Sequence, residues 1–332
     1  MNKLLAALLT ILLASPVHAF RFEVGVYSGN GADGRDISTS ASFAISAMII
    51  KCNGATHATM KTSSMAADAA DDLGGGGGIT TNKIQSFGTG TFQVGSSSTT
   101  NVSGTDNCFY VAWGADANND LAVGTYVGDG NDLRDIVISP AFQPGAVILA
   151  SESDNANVWR VSAMSGEGDF SLRFAASPAA ANLIQAFNAD GFEIGTDVIV
   201  NDATGGTVDY YPLAVKDVTN YTASGTYTAG GSPSDGLAIT VGFQPDLVIV
   251  KSDTNAGVGV VRTSAMTGDF ACPMTNVACD TNFIQSFTAT GFTIGTSASV
   301  QSAGVKYWWY AIKTPVYAGG GGSTRRAPII IQ

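Results

Sequence analysis

One hexapeptide constrains this chain more than anything else in it. Asn82-Lys83-Ile84-Gln85-Ser86-Phe87 returns as Asn182-Leu183-Ile184-Gln185-Ala186-Phe187 and again as Asn282-Phe283-Ile284-Gln285-Ser286-Phe287, offset by 100 residues each time. Phe92-Gln93-Val94-Gly95, Phe192-Glu193-Ile194-Gly195 and Phe292-Thr293-Ile294-Gly295 follow at the same spacing. Upstream, Lys61-Thr62-Ser63-Ser64-Met65 corresponds to Arg160-Val161-Ser162-Ala163-Met164 and to Arg262-Thr263-Ser264-Ala265-Met266, with Asp68, Asp169 and Asp269 next in line. So many ordered matches at one period mean that the fold duplicates one unit.

Each unit closes on an aromatic run, Phe109 to Trp113, Tyr210 to Val215 and Tyr307 to Ile312, which sets the boundaries near 20–117, 118–217 and 218–314. With 40 Gly and short β-branched runs punctuated by Gly, Asn, Asp and Ser, the units read as strands and tight turns rather than helices. The expected fold is all-β: three tandem β-sandwich, jelly-roll-like repeats of about 100 residues. The last closing run is apolar on both faces, with Tyr307, Trp309 and Ala311 on one and Trp308, Tyr310 and Ile312 on the other. That pattern suits a mid-sheet strand covered on both sides. In Ile284-Gln285-Ser286-Phe287, strict alternation puts Ile and Phe on opposite faces. Units of this size can own a core, so the arrangement expected is beads joined by short connections.

The ends read differently. Lys3, the apolar run Leu4 to Ala14 and Ser15-Pro16-Val17-His18-Ala19 have the order of a secretory signal peptide spanning 1–19 and cleaved after Ala19. That run is too short for a membrane span, and no other stretch approaches the length. Phe20 rather than Cys follows the cut, so no lipid anchor is expected; the destination is secreted or cell-surface. Residues 315–332 form a Gly-rich linker, Gly319 to Gly322, and a β-prone end. Ile329 to Ile331 could add to a sheet edge of this chain or another, a route to self-association, but a frayed end is the first expectation. The net charge is −11, or −12 without Lys3, which disfavours nucleic acid, and 13% charged against 45% hydrophobic residues disfavours disorder.

The order Tyr-x-Gly-x-Gly, Gly-Phe-x-Pro-Asp-x-Val-x-x-Lys, Ser-Phe-x-x-x-Gly-Phe-x-x-Gly and Tyr-Trp-x-Ala-x-Lys resembles the β-sandwich modules repeated in phage tail-fibre and receptor-binding proteins and related bacterial surface proteins. The third unit carries it best, through Gly242-Phe243-Gln244-Pro245-Asp246-Leu247-Val248-Ile249-Val250-Lys251 and Tyr307-Trp308-Trp309-Tyr310-Ala311-Ile312-Lys313. The second has Gly145 in place of the Asp and Ala150 in place of the Lys; the first lacks the Pro-Asp turn and inserts Gly74 to Gly78. These are core and turn residues, so the resemblance implies a fold and not a chemistry. The signal peptide favours a bacterial exported relative over a virion protein.

No catalytic residue is assigned. His57, alone after cleavage, reads as a turn histidine, and no Gly-x-Ser-x-Gly elbow exists. For a paired-carboxylate glycosidase, the more serious enzyme option, only the glutamates Glu23, Glu152, Glu167 and Glu193 exist, and none belongs to a repeated motif. Lys61, Arg160 and Arg262 with Asp68, Asp169 and Asp269 read as a structural ion pair or loop bracing in each unit. Gly29-Asn30-Gly31-Ala32-Asp33-Gly34 fits a dinucleotide fingerprint only as text, because no helix follows; it is a turn. Asp33, Asp36, Asp129, Asn131, Asp132 and Asp135 in such turns are weak calcium candidates; no other cofactor or metal is expected.

Four cysteines in an exported chain suggest two disulfides, and pairing within units favours Cys52 with Cys108 and Cys272 with Cys279. Trp113, Trp308 and Trp309 sit in closing runs and read as core; Trp159 is not repeated and is the weak candidate for an exposed, ligand-binding ring. Taken together, the sequence points to an exported, non-enzymatic structural or adhesive protein with a cell-surface or glycan ligand. A secreted carbohydrate-binding or glycan-degrading protein is the alternative.

Overall fold

The computed structural model describes residues 21–40, 43–104, 106–115, 119–153, 157–203, 208–254 and 257–315, with the backbone of 330–331. The signal-peptide segment 1–19 and the linker Gly319 to Gly322 lie outside the described residues. The chain is all-β, as expected, and its sheets are antiparallel apart from one short terminal contact. Helix among the described residues is confined to single turns at Ser98–Asn101, Val198–Asn201 and Ser162–Met164.

The described residues form three large sheets and three small ones. The first large sheet runs in the order Ile330–Ile331, Arg21–Ser28, Asn107–Gly114, Ile45–Cys52, Ala58–Thr62, Ala70–Leu73, Ile79–Thr80. The second runs Leu121–Val123, Asp209–Lys216, Pro144–Ser151, Val158–Val161, Leu172–Arg173, with Tyr126–Val127 also pairing with Asp209–Lys216. The third runs Thr222–Thr228, Lys306–Ile312, Leu247–Ser252, Val260–Thr263, Cys272–Pro273. Each faces a three-stranded sheet, whose middle strand is Thr91–Val94, Gly191–Ile194 or Gly291–Ile294. The sheet pairs enclose separate cores: Tyr27, Met48, Ile50, Phe92 and Tyr110 in the first; Val147, Leu149, Phe192 and Tyr210 in the second; Val248, Val250, Phe292, Tyr307 and Trp309 in the third.

The hexapeptide repeat acquires a mechanical meaning here. Asn82, Asn182 and Asn282 take positive φ values of 67°, 59° and 65°, a left-handed conformation that Asn tolerates better than most residues. The next strand then carries a β-bulge, between Ile84 and Ser86, Ile184 and Ala186, and Ile284 and Ser286. The unpaired residue is Gln85, Gln185 or Gln285. The extra residue breaks the two-residue alternation, so Ile284 and Phe287 both pack against the same core, and likewise in the other two pairs. Opposite faces, expected from strict alternation, are thereby corrected.

The expectation of separate beads is also corrected. The aromatic strands do lie mid-sheet and are covered on both sides, but the second cover is the rest of the molecule. Phe109, Val111 and Trp113, Tyr211, Leu213 and Val215, and Trp308, Tyr310 and Ile312 alternate with the residues facing their own small sheets, and all nine enter one shared core. The three large sheets are therefore packed back to back. Polar contacts close the arrangement into a ring. Ala58 N donates to Met274 O at 2.9 Å between the first and third sheets, and Gly259 N donates to Phe174 O at 2.7 Å between the third and second. Asn157 Nδ2 donates to Asp71 Oδ2 at 2.6 Å between the second and first. A unit with one apolar strip would have stood alone; these large sheets are apolar on both faces and must be covered twice.

The chain end differs from the frayed expectation as well. Ile330–Ile331 pairs parallel with Val26 and Tyr27 along the outer edge of the first large sheet. That edge otherwise presents unpaired backbone groups, which is what an extended β-prone segment can satisfy. Both expected disulfides are present, Cys52–Cys108 joining two adjacent strands and Cys272–Cys279 closing one loop.

Candidate functional site

The bulge glutamines organise the acidic turns. Gln185 Nε2 donates to Asp132 Oδ1 and to Asp169 Oδ2, each at 3.1 Å. Gln285 Nε2 does the same for Asp235 Oδ1 at 2.6 Å and Asp269 Oδ2 at 3.2 Å, and Gln85 Nε2 reaches Asp33 Oδ1 at 2.9 Å. A bulge turns the odd side chain out of the alternating pattern, and here it delivers an amide between two carboxylates. The repeated aspartates also accept from the chain itself: Asp68 Oδ1 takes the Asn82 N–H at 2.8 Å.

The remaining calcium candidates are engaged in the same way. Asp36 accepts from Gln93 Nε2 at 3.1 Å, Asp135 accepts from Asn188 Nδ2, and Asp129 accepts from Asn131 N at 2.9 Å and pairs with Arg134 Nε at 3.3 Å. The Asn131 N–H, more than the Arg134 charge, holds the Asp129 carboxyl below its ordinary value. Burial, reinforced by Asp135, Asp132 and Asp169, pushes the Glu193 carboxyl up. Among the described residues no three or more His, Cys, Asp or Glu side chains are grouped to hold a metal ion. Asn131 contributes its backbone carbonyl to Asn201 Nδ2 at 2.7 Å. Asn101 plays the same part in the first pair, donating to Ala32 O at 2.7 Å and accepting from Asn30 N at 2.9 Å. The Gly-Asn-Gly segment is thus a braced turn.

Lys61, Arg160 and Arg262 brace loops rather than forming direct ion pairs with the repeated aspartates. Arg160 donates to the carbonyls of Met164, Gly168, Phe170 and Ile184, and Arg262 to those of Met266, Gly268, Phe270 and Ile284. Lys61, with one nitrogen, serves two carbonyls, Ala66 O at 2.8 Å and Ala69 O at 2.7 Å. Burial lowers both guanidinium pKa values to about 10 and that of Lys61 to about 8, the facing aspartate opposing it in each case. A fork of donors fits a loop whose carbonyls have no ladder partner.

The loop under Arg160 is where the second pair departs from its counterparts. Four residues, Ser165-Gly166-Glu167-Gly168, separate Met164 from Asp169, whereas Thr267-Gly268 and Ala66-Ala67 fill the same place elsewhere. A cleft of about 340 Å³ opens there, lined by Arg160, Ser162, Ser165, Gly168, Gln185 and Phe187 among others. Gln185 is 7% exposed, and its Oε1 has no hydrogen-bond partner. Sequence reasoning passed over this loop, although its two extra residues are visible once the repeats are aligned.

Trp159, read from sequence as the exposed ring, is fully buried, stacked on Phe174 at 5.8 Å in the shared core. It is unrepeated because each large sheet fills the common core differently, and ligand binding by its ring is ruled out by burial. Trp113 and Trp308 are buried there too, while Trp309 faces its own small sheet. His57 lies in the turn before Ala58–Thr62. Set beside known proteins, the sequence matches no family model and no curated relative.

Proposed function

We propose that this chain is an exported, non-enzymatic structural or adhesive protein, which presents three β-sandwich units as one block for attachment to a surface or appendage. The observation that carries this reading is the shared core. Apolar surface is spent on joining the units, and the turns and small sheets are left outward, held by amide–carboxylate and backbone bonds. Two disulfides suit an oxidising compartment, and no helix among the described residues is long and apolar enough to cross a membrane. Export through residues 1–19 and kinship with tail-fibre-type modules belong to the same proposal. A rigid multi-faced block attaches by repeated weak contacts fixed in relative orientation, which raises avidity without a strong single site.

The test is binding of the oxidised protein from residue 20 onward to whole cells, to isolated cell envelopes and to itself. Saturable binding or ordered self-assembly is expected. Release of reducing sugar from a polysaccharide, lost on substitution of one Asp or Glu, would overturn the non-enzymatic reading. A carbohydrate-binding role is the second reading, favoured by the cleft at Arg160 and Gln185.

A further inference from the structure

In the second sheet pair the repeated framework carries a loop change that its buried arginine does not require. In the first and third pairs two residues close the loop under Lys61 or Arg262; in the second, four do. Arg262 and Arg160 make the same four carbonyl contacts, so the longer loop is not needed to satisfy the guanidinium. Gly166 and Gly168 take φ values of 82° and 100°, conformations open to glycine, and let the loop swing outward. Glu167 then pairs with Lys306 at 2.8 Å, tying the loop to the third sheet. Lys306 in turn lies over the Trp308 ring at 4.4 Å.

The cleft has the chemistry of a site. Gln285 Oε1 accepts from Gly236 N at 3.1 Å, whereas Gln85 Oε1 and Gln185 Oε1 have no donor, and of these two only Gln185 lines the cleft. A buried acceptor in that position calls for an O–H or N–H from outside. Ser165 is exposed at the rim, and the half-buried Phe187 ring offers an apolar face. In the third pair the matching Phe287 is covered by Arg262, whose guanidinium carbon lies 5.5 Å from the ring centroid. The positive Arg160 is opposed by Asp169 nearby, which disfavours a strongly charged ligand.

We infer that this cleft binds a neutral saccharide, with Gln185 Oε1 accepting from a sugar hydroxyl, Ser165 hydrogen-bonding at the rim and Phe187 against the CH face of the ring. Its volume lies at the small end of small-molecule sites, roughly 300–1,000 Å³, which suits a glycan terminus rather than a long chain. The inference deepens the adhesive reading above and rests on it for the biological context.

The experiment uses the whole oxidised protein on an array of neutral oligosaccharides, with the best binder titrated calorimetrically. Two variants are compared: Ser165→Trp, which fills the cleft from an exposed position, and deletion of Glu167 and Gly168, which restores the loop length of the third pair. Both are expected to keep the melting temperature within a few degrees and to weaken binding at least tenfold. Undiminished saccharide binding by either well-folded variant overturns the cleft assignment and leaves the adhesive reading standing. Binding to cells without binding to any arrayed saccharide has the same meaning. Binding to neither cells nor saccharides overturns both the cleft assignment and the adhesive reading.

Discussion

At the scale of single residues, the buried cations Lys51, Lys61, Arg160 and Arg262 are matched to loop carbonyls rather than to carboxylates, and that makes their contributions separable. Arg262 serves four carbonyls from a planar fork, which a lysine nitrogen cannot span. Arg262→Lys is expected to cost about 1–3 kcal/mol in urea unfolding, since two or more carbonyls lose their donors. Asp71 gives a pH signature. It is buried against Asn157, and burial raises its pKa to about 6, with Asp72 adding to the rise and the Asn157 bond and Lys83 opposing it. The folded state therefore holds the Asp71 proton more tightly than the unfolded chain, whose carboxyl titrates near 3.8. Stability from this group is present in full below that value and is lost as pH rises through about 6. Asp71→Asn should flatten the fall in unfolding free energy between roughly pH 4 and 6, measured by denaturant titration at several pH values. An unchanged slope would mean Asp71 is not the titrating group.

Among the elements, the disulfide-closed loop Cys272 to Cys279 does more than staple its own ends. Cys279 N donates to Asn53 O at 2.9 Å, and Val277 O accepts from the buried Lys51 Nζ at 3.0 Å. Replacing both cysteines by serine is expected to cost about 2–3 kcal/mol for so short a loop. Amide-exchange protection should fall across Asn53 to Thr56 of the first sheet pair as well as in the loop. Loss confined to residues 272–279 would show that the loop does not carry the contact. The bulges belong to this scale too. Ile-Gln-x-Phe was legible as a repeat and as a strand, but alternation alone put Ile and Phe on opposite faces. Only pairing with the neighbouring strand reveals that Gln is the extra residue. The bracing of the acidic turns is not legible for the same reason. Their oxygens are countable in the sequence, while the amide donors that engage Asp132 and Asp169 come from a strand more than ten residues away from either.

For the whole molecule, the shared core governs behaviour. A fragment limited to one sheet pair would expose residues such as Trp159, Leu213 and Val215, a contiguous apolar face that soluble monomers rarely tolerate. Residues 118–217 expressed alone are expected to aggregate or remain partly folded, and the whole chain to melt in one calorimetric transition. Three resolved transitions, or a monomeric fragment with a native-like melt, would restore the picture of independent beads. Trp159→Ala, which empties the centre of that core, should lower stability by about 3–5 kcal/mol and lower it for all three pairs together. What the amino-acid order determined by itself was local: strands from β-branched runs, turns from Gly and Asn, a period from duplication, and nearest-neighbour cysteine pairing. Each depends on residues close in sequence or on a count. Which face of the aromatic strands meets which partner was decided only by tertiary packing. A strand apolar on both sides announces that it will be covered twice, but the identity of the second cover is a long-range choice that no local pattern encodes. The cleft was half-visible for the same reason, its extra residues present in the sequence and its open acceptor created by the fold.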